Sequence, residues 1–345
     1  MGRVALAALA LGIAVSAADG PASDLQPGLR ELLVRDLKFS AADIADLEHG
    51  KVVRHMLPAN ADGIVAAVGG VRIRAPKDRF AAAYRDIARF KRGEAVLQIG
   101  RFSSPPEYKD LDGLTITRDD FDLRDCRVGD CEIRLPADAI HRFQMDIDWK
   151  RADASAQAAA LFKQMMFDNV RAYTSGGPGR ITQYDDDRPP ILPVDAFQAL
   201  LKNSPYVDAA LPGLAAHLAA FPIGPADPLP NAEDFLYWSK EKFGFAPFIS
   251  VTHVTLAAAG PHEYVATTRD VYSSRYFDAS LALVIASDSV GDPQSFYLFY
   301  VNRSRASALR GAFSRLRRSI VERRVRASLE DNLRAVKLRL EQGGN

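Results

Sequence analysis

The chain has 345 residues, 48% hydrophobic and 25% charged, and its 44 Lys and Arg nearly cancel its 43 Asp and Glu. That balance is ordinary for a globular protein, allows a sizeable buried core and gives no reason to expect a nucleic-acid partner. After the first residues, no apolar run reaches membrane-spanning length.

The chain opens MGRVALAALALGIAVSAADG, with one positive charge at Arg3, an apolar run from Val4 to Val15, and small-residue patterns ending at Ala17 and Ala18. This order predicts a secretory leader over 1–18, with retention as an anchor as the alternative. An exported location, the periplasm or cell envelope, is therefore expected. Residues 19–50 are expected to form N-terminal helices, and 51–345 a single α+β domain with a mostly helical insertion at about 136–245.

Leu29 to Leu37 reads as a helix. In FSAADIADLEHG, Ser40 and Asp43 have capping-box spacing, Phe39 and Ile44 form a staple, and Gly50 ends the helix. Lys51 to Leu57 and Gly63 to Arg74 read as strands, and the stretch from Pro76 to Phe90 as a helix. Strands are expected at Glu94 to Phe102, Leu114 to Thr117, Phe121 to Cys126 and Cys131 to Leu135. Asp153 to Val170, Asp195 to Asn203 and Gly213 to Phe221 read as helices. Asn231 to Phe243 is ambiguous, with the Asn231 cap and Gly244 favouring helix.

Pro247 to Ala258, His262 to Tyr272, Ser280 to Ala286 and Phe296 to Asn302 are strand-like, with short turns that imply antiparallel neighbours. The chain closes on one long amphipathic helix, about Ser307 to Leu340. Its apolar positions include Leu309, Phe313, Leu316, Ile320, Val325, Leu329, Leu333, Val336 and Leu340. It should lie across the sheet. It is also basic, with 12 bases against 4 acids from Arg303 to Glu341, whereas Glu107 to Asp153 holds 13 acids against 8 bases.

Few motifs carry chemistry. There is no Gly-rich phosphate loop, no Gly-x-Ser-x-Gly elbow and no histidine pair at metal spacing, so no cofactor or metal is expected. Tyr184 to Asp187, YDDD, lacks the spacing of a calcium loop. His253 shares a strand face with Ile249 and Val251, as an acid or base or as a hydrogen-bonded core histidine. Arg269 shares a face with Val265 and Val271, pointing into a cavity or lying on the surface beside Asp270. Fourteen of the 31 aromatic residues fall between Phe235 and Tyr300, among them Trp238, Phe245, Tyr272 and Tyr300. They suit a pocket lining or a solid core.

VRIRAPKDRFAAAYRDIARF resembles the opening of START-like helix-grip domains, and YLFYVNRSRASALRGAFSRLRRSIVERRVRASLEDNL resembles their close. The resemblance covers about half the chain and implies an antiparallel sheet gripping the C-terminal helix, with an apolar ligand between them. The stretch from Pro136 to Phe245 departs from it. The first functional expectation is an exported binder of an apolar small molecule or lipid, using Trp238, His253, Arg269, Tyr272 and Tyr300. The alternatives are an enzyme on an apolar or aromatic substrate with His253 as acid or base, and an envelope protein whose basic helix meets an anionic membrane surface.

The two cysteines lie in DCRVGDC. No companion ligands for zinc lie nearby, and the spacing fits neither a haem site nor a thioredoxin pair. A four-residue hairpin loop, Arg127 to Asp130 with Gly129 at positive φ, would set Cys126 opposite Cys131 at about 4.5 Å between Cα atoms, within disulfide range. A disulfide pinning one hairpin is expected.

Overall fold

The computed structural model describes residues 23–59, 61, 63–222, 227–243, 246–310 and 314–342, with backbone only for 314–317. The expected leader, Phe245, Phe313 and the side chain of Leu316 lie outside the described residues.

The long alternating runs form one antiparallel sheet of eight strands in the order β1-β2-β8-β7-β6-β5-β4-β3. The strands are β1 (Val53–Met56), β2 (Ile64–Ile73), β3 (Val96–Arg101), β4 (Glu233–Phe243), β5 (Ala246–Ala258), β6 (Glu263–Ser273), β7 (Ala279–Asp288) and β8 (Phe296–Arg305). Consecutive strands β4 to β8 pair as neighbours through short turns, and β8 then returns beside β2, with Val68 opposite Val301.

Helices cover both faces. On one face, Ile64, Val68, Leu281, Leu283, Phe299 and Val301 pack under α1 (Pro27–Arg35), α2 (Ala41–Glu48) and α7 (Pro193–Lys202). On the same face nearer β4, Leu236, Trp238, Ile249 and Val251 pack under α5 (Ala137–Met145) and α6 (Ala154–Gly176). The short α8 (Tyr206–Ala210) and α9 (Leu214–Ala220) complete this layer. The Ser40–Asp43 capping box starts α2. The opposite face is covered by α3 (Asp78–Arg85) and α4 (Ile87–Phe90), through Phe80, Tyr84 and Ile87, and by α10 (Ser314–Glu341), through Leu329, Leu333 and Leu340.

Two consecutive glycines in β2 let both layers close. A Cβ on Gly69 would lie 2.7 Å from Leu333 of α10, and one on Gly70 would lie 2.5 Å from the Phe299 ring on the other face.

Four expectations need correction. Asn231 to Phe243 is mostly strand β4, so the helical insertion ends at Ala220. Asp234, Leu236, Trp238 and Lys240 face one side while Phe235, Tyr237, Ser239 and Glu241 face the other, a period of two that outweighs the cap signals. The three strands expected between Leu114 and Leu135 are irregular chain. Leu114, Phe121, Leu123, Ile133 and Leu135 are buried there as single anchors without a partner strand. The closing helix is preceded by a 3-10 turn, Ser307–Leu309. It packs on β1 and β2 at one edge of the sheet, where Arg318 donates to the Ile64 carbonyl at 2.7 Å.

Cys126 and Cys131 form a disulfide, with Cα atoms 4.5 Å apart. Arg127 and Asp130 exchange both backbone hydrogen bonds, and Gly129 sits at φ +82°. The loop is therefore a hairpin without strand flanks, and it is tied instead to the 185–186 segment through Gly129 and Cys131. No described helix is long and apolar enough to cross a membrane.

Candidate functional site

Side chains alternate along β6, so Arg269 and Asp270 project to opposite faces, cross-strand from His253 and Thr252 respectively. An extra residue, Val271, then turns Tyr272 back to the Arg269 side. The sheet thereby separates the five residues singled out in the sequence. Trp238, His253, Arg269 and Tyr272 lie on the insertion face, while Tyr300 lies on the α10 face.

The four on the insertion face are packed solidly. Trp238 is buried, and its Nε1 donates to the Asp110 carbonyl at 2.8 Å. Tyr272 donates to the Arg134 carbonyl at 2.9 Å. His253 is 1% exposed and has both ring nitrogens engaged, Nε2 with Asp234 at 2.9 Å and Nδ1 with the Tyr173 hydroxyl at 2.7 Å. Burial pushes its pKa down. Arg269, also 1% exposed, donates once, to the Leu218 carbonyl, and lies 3.9 Å from the centre of the Phe197 ring. Among the described residues, its Nε and Nη2 are buried without a hydrogen-bond partner.

The α10 face differs. Thr268, Asp270, Ser280, Tyr300 and Asn302 are only half-buried, although they sit on central strands. Ser280, Ser304 and Asn302 satisfy one another in a closed triangle of hydrogen bonds at 2.9 to 3.1 Å. Lys91, just past α4, donates to Glu241 at 2.8 Å and to the Tyr237 hydroxyl at 3.2 Å. Burial works against the charge on Lys91, but Tyr237 and Glu241 hold its pKa well above the ordinary value. That pair is therefore closed.

Asp270 is left over. Among the described residues its carboxyl has no hydrogen-bond or ion-pair partner, and the residue is half-buried. Burial pushes its pKa up to about 7; Lys91 opposes this and Glu241 adds to it. Tyr300 lies within the same field, and burial pushes its hydroxyl up to about 12. An acid so placed can accept a hydrogen bond or a positive charge from a ligand. Sequence reading noticed Asp270 only as a neighbour of Arg269. The available signal was parity: on a strand, the residue beside an inward Arg269 must face the other layer.

Among the described residues, no group of three or more His, Cys, Asp and Glu could hold a metal ion. The chain matches no protein-family model, no curated protein and no solved structure.

Proposed function

We propose that the protein is an exported binder of a small polar or amphipathic molecule, held on the α10 face of the late sheet with a donor group on Asp270. The observation that carries this reading is the half-buried Asp270 carboxyl, unpartnered among the described residues, beside a Lys91–Glu241 pair that is already closed. The accessible positions, Thr268, Asp270, Ser280 and Asn302, are polar, which favours a ligand with donor groups over a bare acyl chain. Export is supported by the disulfide and by the N-terminal pattern. Acid–base catalysis by His253 has less support, because neither ring nitrogen is left for a substrate.

Native mass spectrometry of the exported chain tests the reading. A bound small molecule is expected on the wild type and not on Asp270→Asn. Wild type that carries nothing, or an adduct equally present on the variant, contradicts it.

A second reading, contact with an anionic membrane surface, is favoured by Arg323, Arg324 and Arg326, all exposed on α10. It predicts binding to phosphatidylserine vesicles that fades with salt.

A further inference from the structure

On the opposite face of the sheet from Asp270, near the β3–β4 edge, lies an open cleft of about 1170 Å³. It is walled by the C-terminal half of α6, the segment from Arg101 to Pro106, the start of β4, and Phe221.

Asp234 faces this cleft, and its carboxylate is held from behind. His253 Nε2 and Thr255 Oγ1 reach Oδ1 at 2.9 and 2.7 Å, and His217 Nε2 lies 3.1 Å from both oxygens. His217 Nδ1 meets Asp227 at 2.9 Å. Burial opposes the charge on Asp234, but the hydrogen bonds from His217, His253 and Thr255 hold its carboxyl far below the ordinary range. Asp234 is thus a fixed anion whose orientation does not depend on a ligand. Holding such a group in place in advance removes part of the ordering cost of binding.

A cation shares the same cleft. The Arg171 guanidinium lines it from α6, is exposed, and lies over the Phe167 ring at 5.6 Å. It has no hydrogen bond or ion pair among the described residues. The other acids and bases there are more committed. Asp110 accepts from the Ser103 and Glu107 backbone and from the Ser103 hydroxyl, Asp168 accepts from Gln164, and Arg101 donates to the Arg85 carbonyl while stacked 4.1 Å over Phe235.

We infer that this cleft binds a small zwitterion, an amino acid or short peptide, with its ammonium on Asp234 and its carboxylate on Arg171. Phe221 in the lining suits an apolar side chain beside the two poles. The site does not depend on the Asp270 reading, since it lies across the sheet from it.

Calorimetric titration of the full exported chain with L-phenylalanine, phenethylamine and 3-phenylpropionate tests this. L-Phenylalanine is expected to bind at least about tenfold more tightly than either single-pole analogue. Arg171→Met should weaken L-phenylalanine by about tenfold and leave phenethylamine unchanged. Asp234→Asn should abolish binding of both, but it also removes the charge and one of the two oxygens that two histidines meet and can unfold the chain. Ala172→Trp therefore serves as a second variant, because it fills the cleft without touching Asp234 and should abolish binding at unchanged melting temperature. No binding of L-phenylalanine at millimolar concentration, equal affinity for all three compounds, or no effect of Arg171→Met would overturn the inference.

Discussion

Arg269 and Asp270 are consecutive in β6 and meet opposite environments. On the insertion face, Arg269 is buried among Phe197, Tyr173 and the α9 backbone, and its Nε and Nη2 have no hydrogen-bond partner among the described residues. On the α10 face, Asp270 also has no hydrogen-bond or ion-pair partner among the described residues, but it is only half-buried. The difference comes from what covers each layer. The chain from Ala137 to Ala220 supplies five helices to the insertion face, whereas α10 packs along β1 and β2 and leaves the polar floor of the late strands only half-buried. Around Arg269 a close-packed layer holds the polar groups as structure, whereas the thinner cover over Asp270 leaves its carboxyl half-buried.

The strongest way to break that comparison is to cut the relay behind the insertion face. Asp234→Ala strands two imidazoles and the Thr255 hydroxyl, and should cost about 3–5 kcal/mol in denaturant unfolding. A cost below about 1 kcal/mol would mean that the relay is not formed. The two glycines of β2 come next. Gly70→Ala drives a methyl into Phe299 and Gly69→Ala into Leu333, and each should cost about 1–3 kcal/mol. Only Gly69→Ala should raise amide exchange in α10, and an equal rise from Gly70→Ala would show that the layers are not independent. Cys126→Ser opens a very small loop and should cost ~2 kcal/mol at most. A larger loss would give the bridge a role beyond its own hairpin.

A further effect is a change of slope with pH. The folded Asp270 carboxyl titrates at about 7, above the ~3.9 of an unfolded aspartate. The folded state therefore holds the extra proton, and stability falls as pH rises between those values. Asp270→Asn should remove that fall, measured by urea unfolding across the window. His217 acts in a higher window. Burial opposes its charge, but Asp234 and Asp227 carry its pKa up to about 9. Its contribution is full below the unfolded value of ~6.5 and is lost as pH rises through the folded one.

The late sheet was legible because β5 to β8 alternate cleanly and are joined by short turns, and α6 and α10 because their apolar spacing is long and regular. β4 was not, since Asn231 and Gly244 imitate helix ends around a strand with charged residues near both ends. The buried residues between Leu114 and Leu135 imitated strands because an anchored loop and a short strand bury the same apolar residues. The candidate sites were legible only in part. Periodicity set His253 facing inward and left Arg269 open between a cavity and the surface, and no local pattern could bring Asp234, His217 and Tyr173 to His253 from separate elements. Nor could it show that the layer over Asp270 is incomplete. Those facts depend on tertiary packing.

The proposed site rests on Asp270, which is half-buried and has no hydrogen-bond or ion-pair partner among the described residues. A ¹³C-carboxyl NMR titration of Asp270 in the ligand-free protein tests it most directly. The account predicts a midpoint near the value of about 7 that burial imposes. A midpoint at or below the ordinary ~3.9 would show that a protein donor already holds the carboxylate, and would contradict the account.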